Sequence, residues 1–159
     1  MRSIAFVACA TLALCIDAMA QALPSDSPII QFRIAKTTAG PGFPLHESLG
    51  DTSFFVNDTV VLSDPDIESA RAYPTKDAAG HPSVVISVHL TTQAAARLAG
   101  VTKKHVGDRM AMFLDRQFVG APLIMTEIDG GGSFQIEAGQ PAQPDRIAAA
   151  VAARWPDHD

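Results

Sequence analysis

Apolar residues recur along this chain at two different spacings, and the change from one to the other lays out its elements. In residues 29–35, Ile30, Phe32 and Ile34 share one parity, as the inward side of a strand requires. Residues 84–90 repeat the pattern more cleanly, with Val84, Ile86, Val88 and Leu90 on one face and Val85, Ser87 and His89 on the other. Residues 37–52 carry Gly40, Pro41, Gly42, Pro44 and Gly50 and are expected to be a loop. Residues 53–56 and 59–62 are β-rich runs around Asn57-Asp58, either a hairpin or one bent strand. Asp64-Pro65-Asp66 predicts a turn or a single helical turn, and residues 74–82 a second connection rich in breakers.

After Leu90 the spacing lengthens. Thr91 or Thr92 can cap a helix running to about His105, with Ala94, Leu98 and Val101 at i, i+4 and i+7 facing inward. Lys103, Lys104 and His105 fall in its last turn, where positive charge suits the carbonyl end of the dipole, and Gly107 supplies the stop. Strands are then expected at residues 109–114, 117–128 and 133–138. The middle one contains Pro122, which cannot donate to a ladder and implies a bulge or an edge. A final helix begins at Pro144, a good first helical residue, and presents Ile147, Val151 and Trp155 as one stripe with Ala148 and Ala152 beside it. The order of strands, helix, three strands, helix predicts an α+β fold, a largely antiparallel sheet with two helices packed on one face.

The N-terminus breaks this pattern. Arg2, the apolar residues 4–16 and the small-x-small sequence Ala18-Met19-Ala20 read as an export signal over residues 1–20, cleaved between Ala20 and Gln21. The apolar run is shorter than the roughly 20 residues of a membrane span. The expectation is therefore a periplasmic protein with no stable membrane insertion after cleavage. Cys9 and Cys15 leave with the signal, so packing alone must hold the mature fold and thiol chemistry is excluded. Residues 21–52 then form a leader, first strand and loop, residues 53–155 the main domain and residues 156–159 a tail. With 47% apolar and 18% charged residues the chain is globular in class, and its net charge of −5 argues against nucleic acid or an anionic membrane as partner.

Several residues in order then define a likeness. They are Val61-Leu62, Asp66-Ile67, Ala70-Arg71, the strand at residues 84–90, Thr102, Val106-Gly107, Arg109-Met110-Ala111, Leu114-Asp115, Ala121-Pro122, Ile124, Gly130-Gly131-Gly132-Ser133 and Gln135-Ile136. In this sequence and spacing the chain from about Ser53 to about Ala153 resembles the head subdomain of the first periplasmic domain of SecD/SecDF, membrane components that assist the Sec translocase. The resemblance implies a non-enzymatic protein-interaction module, here a free-standing exported domain, that contacts exported polypeptide or Sec translocase components. It implies no cofactor. Where that family places Asp-Gly in a hairpin turn this chain has Asp115-Arg116, and the cost of a positive φ at arginine predicts another turn type.

No catalytic or metal-ligating constellation is legible. Gly130, Gly131 and Gly132 precede a strand rather than a helix, so they are expected to be a hairpin turn of a meander over residues 106–136, not a phosphate cradle. His46-Glu47 lacks the second histidine of a zincin helix, and His81, His89, His105 and His158 show no ligand spacing. Met110, Met112 and Met125 could form an adaptable polypeptide-binding patch, but Met110 and Met112 share parity with Leu114 and are assigned to the core. If both helices cover one face of the sheet, Val85, His89, Ala111 and Phe113 lie on the other. They form either an interaction surface or the seat of the N-terminal strand or the residue 37–52 loop. The alternative in another class is a small enzyme or ligand carrier whose site assembles from scattered residues such as His46, Asp51 and Glu127. A third is a structural protein of the envelope.

Overall fold

A computed structural model describes residues 27–129, 131–138 and 143–156. The expected signal, its Ala20–Gln21 junction, Gly130 and the end of the tail, His158 included, lie outside these residues. β1 (Ile30–Lys36) buries Ile30, Phe32 and Ile34 as its parity requires. It pairs antiparallel with β3 (Thr52–Ser63) on one side and with β6 (Arg109–Leu114) on the other. The expected loop at residues 37–52 contains a strand, β2 (Leu45–Leu49), which closes a hairpin with β3 across Gly50. Its apolar parity is broken by Glu47 between Leu45 and Leu49, and neither face is buried; pairing with β3 and the contact of His46 with Phe55 hold it. β3 is a single bent strand. Its register against β1 jumps between Arg33–Val60 and Ala35–Val56, and the Asn57 side chain accepts from the Thr59 amide at 2.6 Å inside that bulge.

A 3-10 turn, Asp64–Asp66, leads to β4 (Ile67–Lys76), β5 (Pro82–Leu90) and α1 (Thr92–Lys104). Thr91 caps α1, its hydroxyl accepting from the Ala94 amide. β7 (Gln117–Gly120), β8 (Ser133–Ala138) and α2 (Pro144–Arg154) complete the α+β fold. All strand pairs are antiparallel, and the strands are divided between two sheets: β2-β3-β1-β6-β7 and β4-β5-β8. The meander expected over residues 106–136 is therefore split, because β8 pairs with β5 and not with β7. The expected strand at residues 117–128 ends at Gly120. Beyond it Pro122 has no amide to donate, and the chain continues as an irregular strap bridged to β6 only at Arg109–Leu123.

Two cores result. The main one lies between the sheets and beneath both helices, where Leu62, Ile86, Leu114, Ile136, Ile147 and Val151 are fully buried or nearly so. The five-stranded sheet also curls until its outer strands β2 and β7 approach each other, and a second core of Ala35, Phe54, Val56, Ala111, Phe113 and Ala121 fills the curl. β6 consequently buries both faces, and β1 does so at Ala35.

The ends of the elements are tied by carboxylates. Asp64, buried, accepts from the amides of Ile29 and Ile30 at 2.9 to 3.0 Å and lies 3.5 Å from the Arg154 guanidinium on α2. Asp66 accepts from the Ser63 amide and pairs with Arg97 of α1. Asp115 is 3.1 Å from Arg146 and its amide donates to the Ile29 carbonyl. The β6–β7 turn departs from expectation, since Asp115 (φ 45°) and Arg116 (φ 66°) both adopt the left-handed region, the two-residue arrangement that matches strand twist. Tertiary ties at Asp115 hold the turn against that cost. Exposed Arg116 gains nothing comparable, so Arg116→Gly is expected to stabilise the protein by about 0.5 to 1 kcal/mol, the left-handed strain less the entropy glycine loses on folding. A denaturant midpoint that stays put or falls would contradict this.

Candidate functional site

The sheet face expected from sequence does not exist as one surface. Ala111 is 0% and Phe113 8% exposed, both inside the second core, with the Phe113 ring 5.6 Å from Phe118 and Phe118 in turn 5.3 Å from Phe54. The curl of their sheet covers them, so neither is part of an open face. Val85 and His89 belong to the other sheet, whose outer side carries polar pairs: His89 Nδ1 lies 2.7 Å from Ser133 Oγ, and Gln135 donates to Ser87 Oγ at 3.2 Å. A polar cleft of about 570 Å³ runs along this side, between Arg71, Tyr73, Ser87 and His89 and the end of α2 at Trp155.

The scattered enzyme residues do not converge. His46 sits on β2 against Phe55, Asp51 is in the β2–β3 turn, and Glu127 pairs with Lys103 at 3.3 Å. The histidine–carboxylate pairs that do form, His81 with Asp77 and His105 with Asp108, each close a local turn. Among the described residues no group of histidines and carboxylates is placed to hold a metal ion.

What the structure does assemble is an apolar groove of about 340 Å³. Its floor is Phe32 on β1, Leu62 on β3, Leu98 on α1 and Met110 and Met112 on β6; one wall is the strap, through Leu123, Ile124, Met125 and Ile128; the other is β8, through Phe134 and Gln135. Among the described residues no ionisable side chain lines it. The three methionines singled out in the sequence meet here. Met110 is buried as expected, Met112 only half so, and Met125 is 75% exposed at the rim. Flexible, polarisable thioethers on floor and rim let such a groove fit side chains of differing shape.

The backbone of the strap is pinned at both ends, and between them Glu127 is tied to α1 through its side chain, by the ion pair with Lys103. Pro122 and Ile124 accept from the amides of Met110 and Gly107, and the Ile124 amide donates to the Asp108 carbonyl, each at 2.9 Å. At the far end the Ile128 amide donates to Thr102 Oγ1 at 2.9 Å, while that hydroxyl, fully buried, donates back to the Leu98 carbonyl of its own helix. From Met125 to Glu127 the backbone makes no hydrogen bond to another described residue. Leu123, Met125 and Ile128 stand exposed along it; Leu123, Ile128 and Phe134 escaped the sequence reading, and Ile124 entered it only through the family likeness. The signal was present: an apolar run after Pro122, where ladder pairing had to end, is a poor interior strand and a good groove wall.

Among helices of the described residues, none is long and apolar enough to cross a membrane. The family model for the SecDF P1 head subdomain matches residues 43–153. Protein translocase subunit SecD of Aquifex aeolicus is 33% identical over 98 residues, covering 62% of this chain and 18% of that protein. The SecD subunit of Rhodobacter capsulatus is 30% identical over 117 residues, covering 65% and 20%. The chain thus spans about a fifth of the length of these curated relatives. A solved structure described as that of a membrane component SecDF that enhances protein export shares the fold, with a TM-score of 0.53 at 21% identity over 80% of this chain and 63% of that one.

Proposed function

Because this chain belongs to the SecDF P1 head subdomain family, we propose that it is a periplasmic protein-export module that binds an apolar stretch of exported polypeptide in the groove between β6, β8 and the strap. The observation that carries this reading is the groove itself: predominantly apolar, free of ionisable side chains among the described residues and rimmed by exposed Leu123, Met125 and Ile128. A polypeptide not yet folded exposes apolar side chains in no fixed order, and a methionine-lined site accommodates many of them. The signal expected at residues 1–20 would deliver the groove to the compartment where such chains emerge. The reading concerns binding alone, since the chain matches only about a fifth of a SecD subunit.

Crosslinking in intact cells tests it. A photoreactive residue at Met125 is expected to capture secretory proteins in transit or a Sec translocase subunit, while the same probe at Tyr73, exposed on the polar side of the other sheet, captures neither. Equal labelling from both positions, or labelling from Tyr73 alone, would count against the groove.

A further inference from the structure

We propose that the polypeptide occupying this groove binds as an added β-strand, antiparallel to β8, hydrogen-bonded to Ser133, Gln135 and Glu137; this rests on the groove reading and specifies its mode of recognition. β8 is an edge of the three-stranded sheet. Its pairing with β5 runs Val88 opposite Phe134 and Ile86 opposite Ile136, and the Leu90 amide donates to the Gly132 carbonyl at 2.6 Å in the same register. Opposed residues in an antiparallel ladder alternate between hydrogen-bonded and non-bonded pairs. Gly132, Phe134 and Ile136 therefore turn their backbone groups toward β5. Ser133, Gln135 and Glu137 turn theirs outward, and none of these has a backbone partner among the described residues.

This edge borders the groove, since Phe134 and Gln135 line it. A strand laid along β8 would place alternate side chains over Met110, Met112 and Ile124 and the rest toward solvent. Main-chain bonds supply an affinity independent of sequence, and the groove selects apolar residues at every second position. A second copy of this chain is a poorer occupant. Its own β8 directs Ile136 and Phe134 toward its main core and Ser133, Gln135 and Glu137 outward, so it pairs with the edge while leaving the groove empty.

The geometry dictates which amides of the guest matter. Directly opposed residues of an antiparallel pair share a face. Guest residues opposite Ser133, Gln135 and Glu137 thus point to solvent while their N–H groups point at β8, and the residues that fill the groove point their N–H groups away. The probe is a fluorescein-labelled octapeptide of alternating apolar residues and threonines, whose apolar parity fixes its register, titrated against the purified protein by anisotropy. N-methylation of its threonines is expected to weaken binding at least about tenfold, the worth of one or two lost hydrogen bonds, and N-methylation of its apolar residues to leave it within about twofold. Gln135→Pro, which removes an amide the β5 ladder does not use, should weaken binding similarly with the melting temperature nearly unchanged.

If the parent peptide binds and both methylated forms and Gln135→Pro bind equally well, strand addition is wrong and the groove reading survives. If the parent peptide does not bind at all, the groove reading itself fails. A concentration-dependent dimer that Gln135→Pro abolishes, with no effect of methylation on peptide affinity, would assign the edge to a second copy and overturn the proposal.

Discussion

Asp64→Ala is expected to lower the stability of the fold by about 3 kcal/mol, within the range for removing one partner of a buried charged network. The carboxylate receives both the Ile29 and the Ile30 amide, and these amides begin the strand that every other strand of the curled sheet is built around. Alanine would leave two largely buried donors without acceptors, at roughly 1 to 3 kcal/mol each where water cannot enter. Arg154 contributes less: its side chain is more than half exposed, so Arg154→Ala should cost under about 1 kcal/mol. Thermal unfolding separates the two, with a midpoint roughly 10 °C lower for Asp64→Ala. A drop no larger than that of Arg154→Ala would show that the amide bonds are dispensable.

The second large effect is expected at Gly132. Its φ is +75°, and a Cβ there would stand 3.2 Å from the Leu90 carbonyl oxygen and 3.4 Å from Ala95 Cβ. The residue lies where β8 meets the start of α1, so neither backbone nor helix can step aside freely. Gly132→Val combines a β-branched side chain in the left-handed region with that contact and should destabilise by about 3 kcal/mol. Gly131, one residue earlier, also has positive φ but meets nothing within 4 Å, so Gly131→Asn should be nearly neutral. The paired denaturation midpoints are the measurement; equal shifts would locate the cost in backbone strain alone rather than in the junction.

Wherever a segment buries one face, the sequence was legible. β1, β5, α1, β6, β8 and α2 stand close to their expected places because Ile30, Phe32 and Ile34, Val84 to Leu90, Ala94 and Leu98, or Ile147 and Val151 repeat with the period of their element. β2 was illegible for the opposite reason, as residues such as Leu45 and Leu49 are exposed and its register comes from β3. The division into two sheets left no local trace, because pairing of β8 with β5 instead of β7 joins segments far apart in the sequence. For Ala111 and Phe113 parity says which side of a strand they occupy and leaves open whether it is covered; only the curl of the sheet says that this side is filled. Of the groove, the methionines could be read as a group, whereas Leu123 and Ile124 join them only through the strap and Phe134 only through β8.

The central position of β1 and β6 has a kinetic consequence. Ile30 pairs with Leu114, so the first described strand finds its inner partner only after most of the chain has passed. Contacts of such sequence separation are slow to close, and folds dominated by them assemble in roughly milliseconds to seconds rather than microseconds. Until β6 is available neither core can be completed, since β1 forms a wall of both. A chain wired in this way closes its local hairpins first and seals its interior last, once residue 114 has joined residue 30.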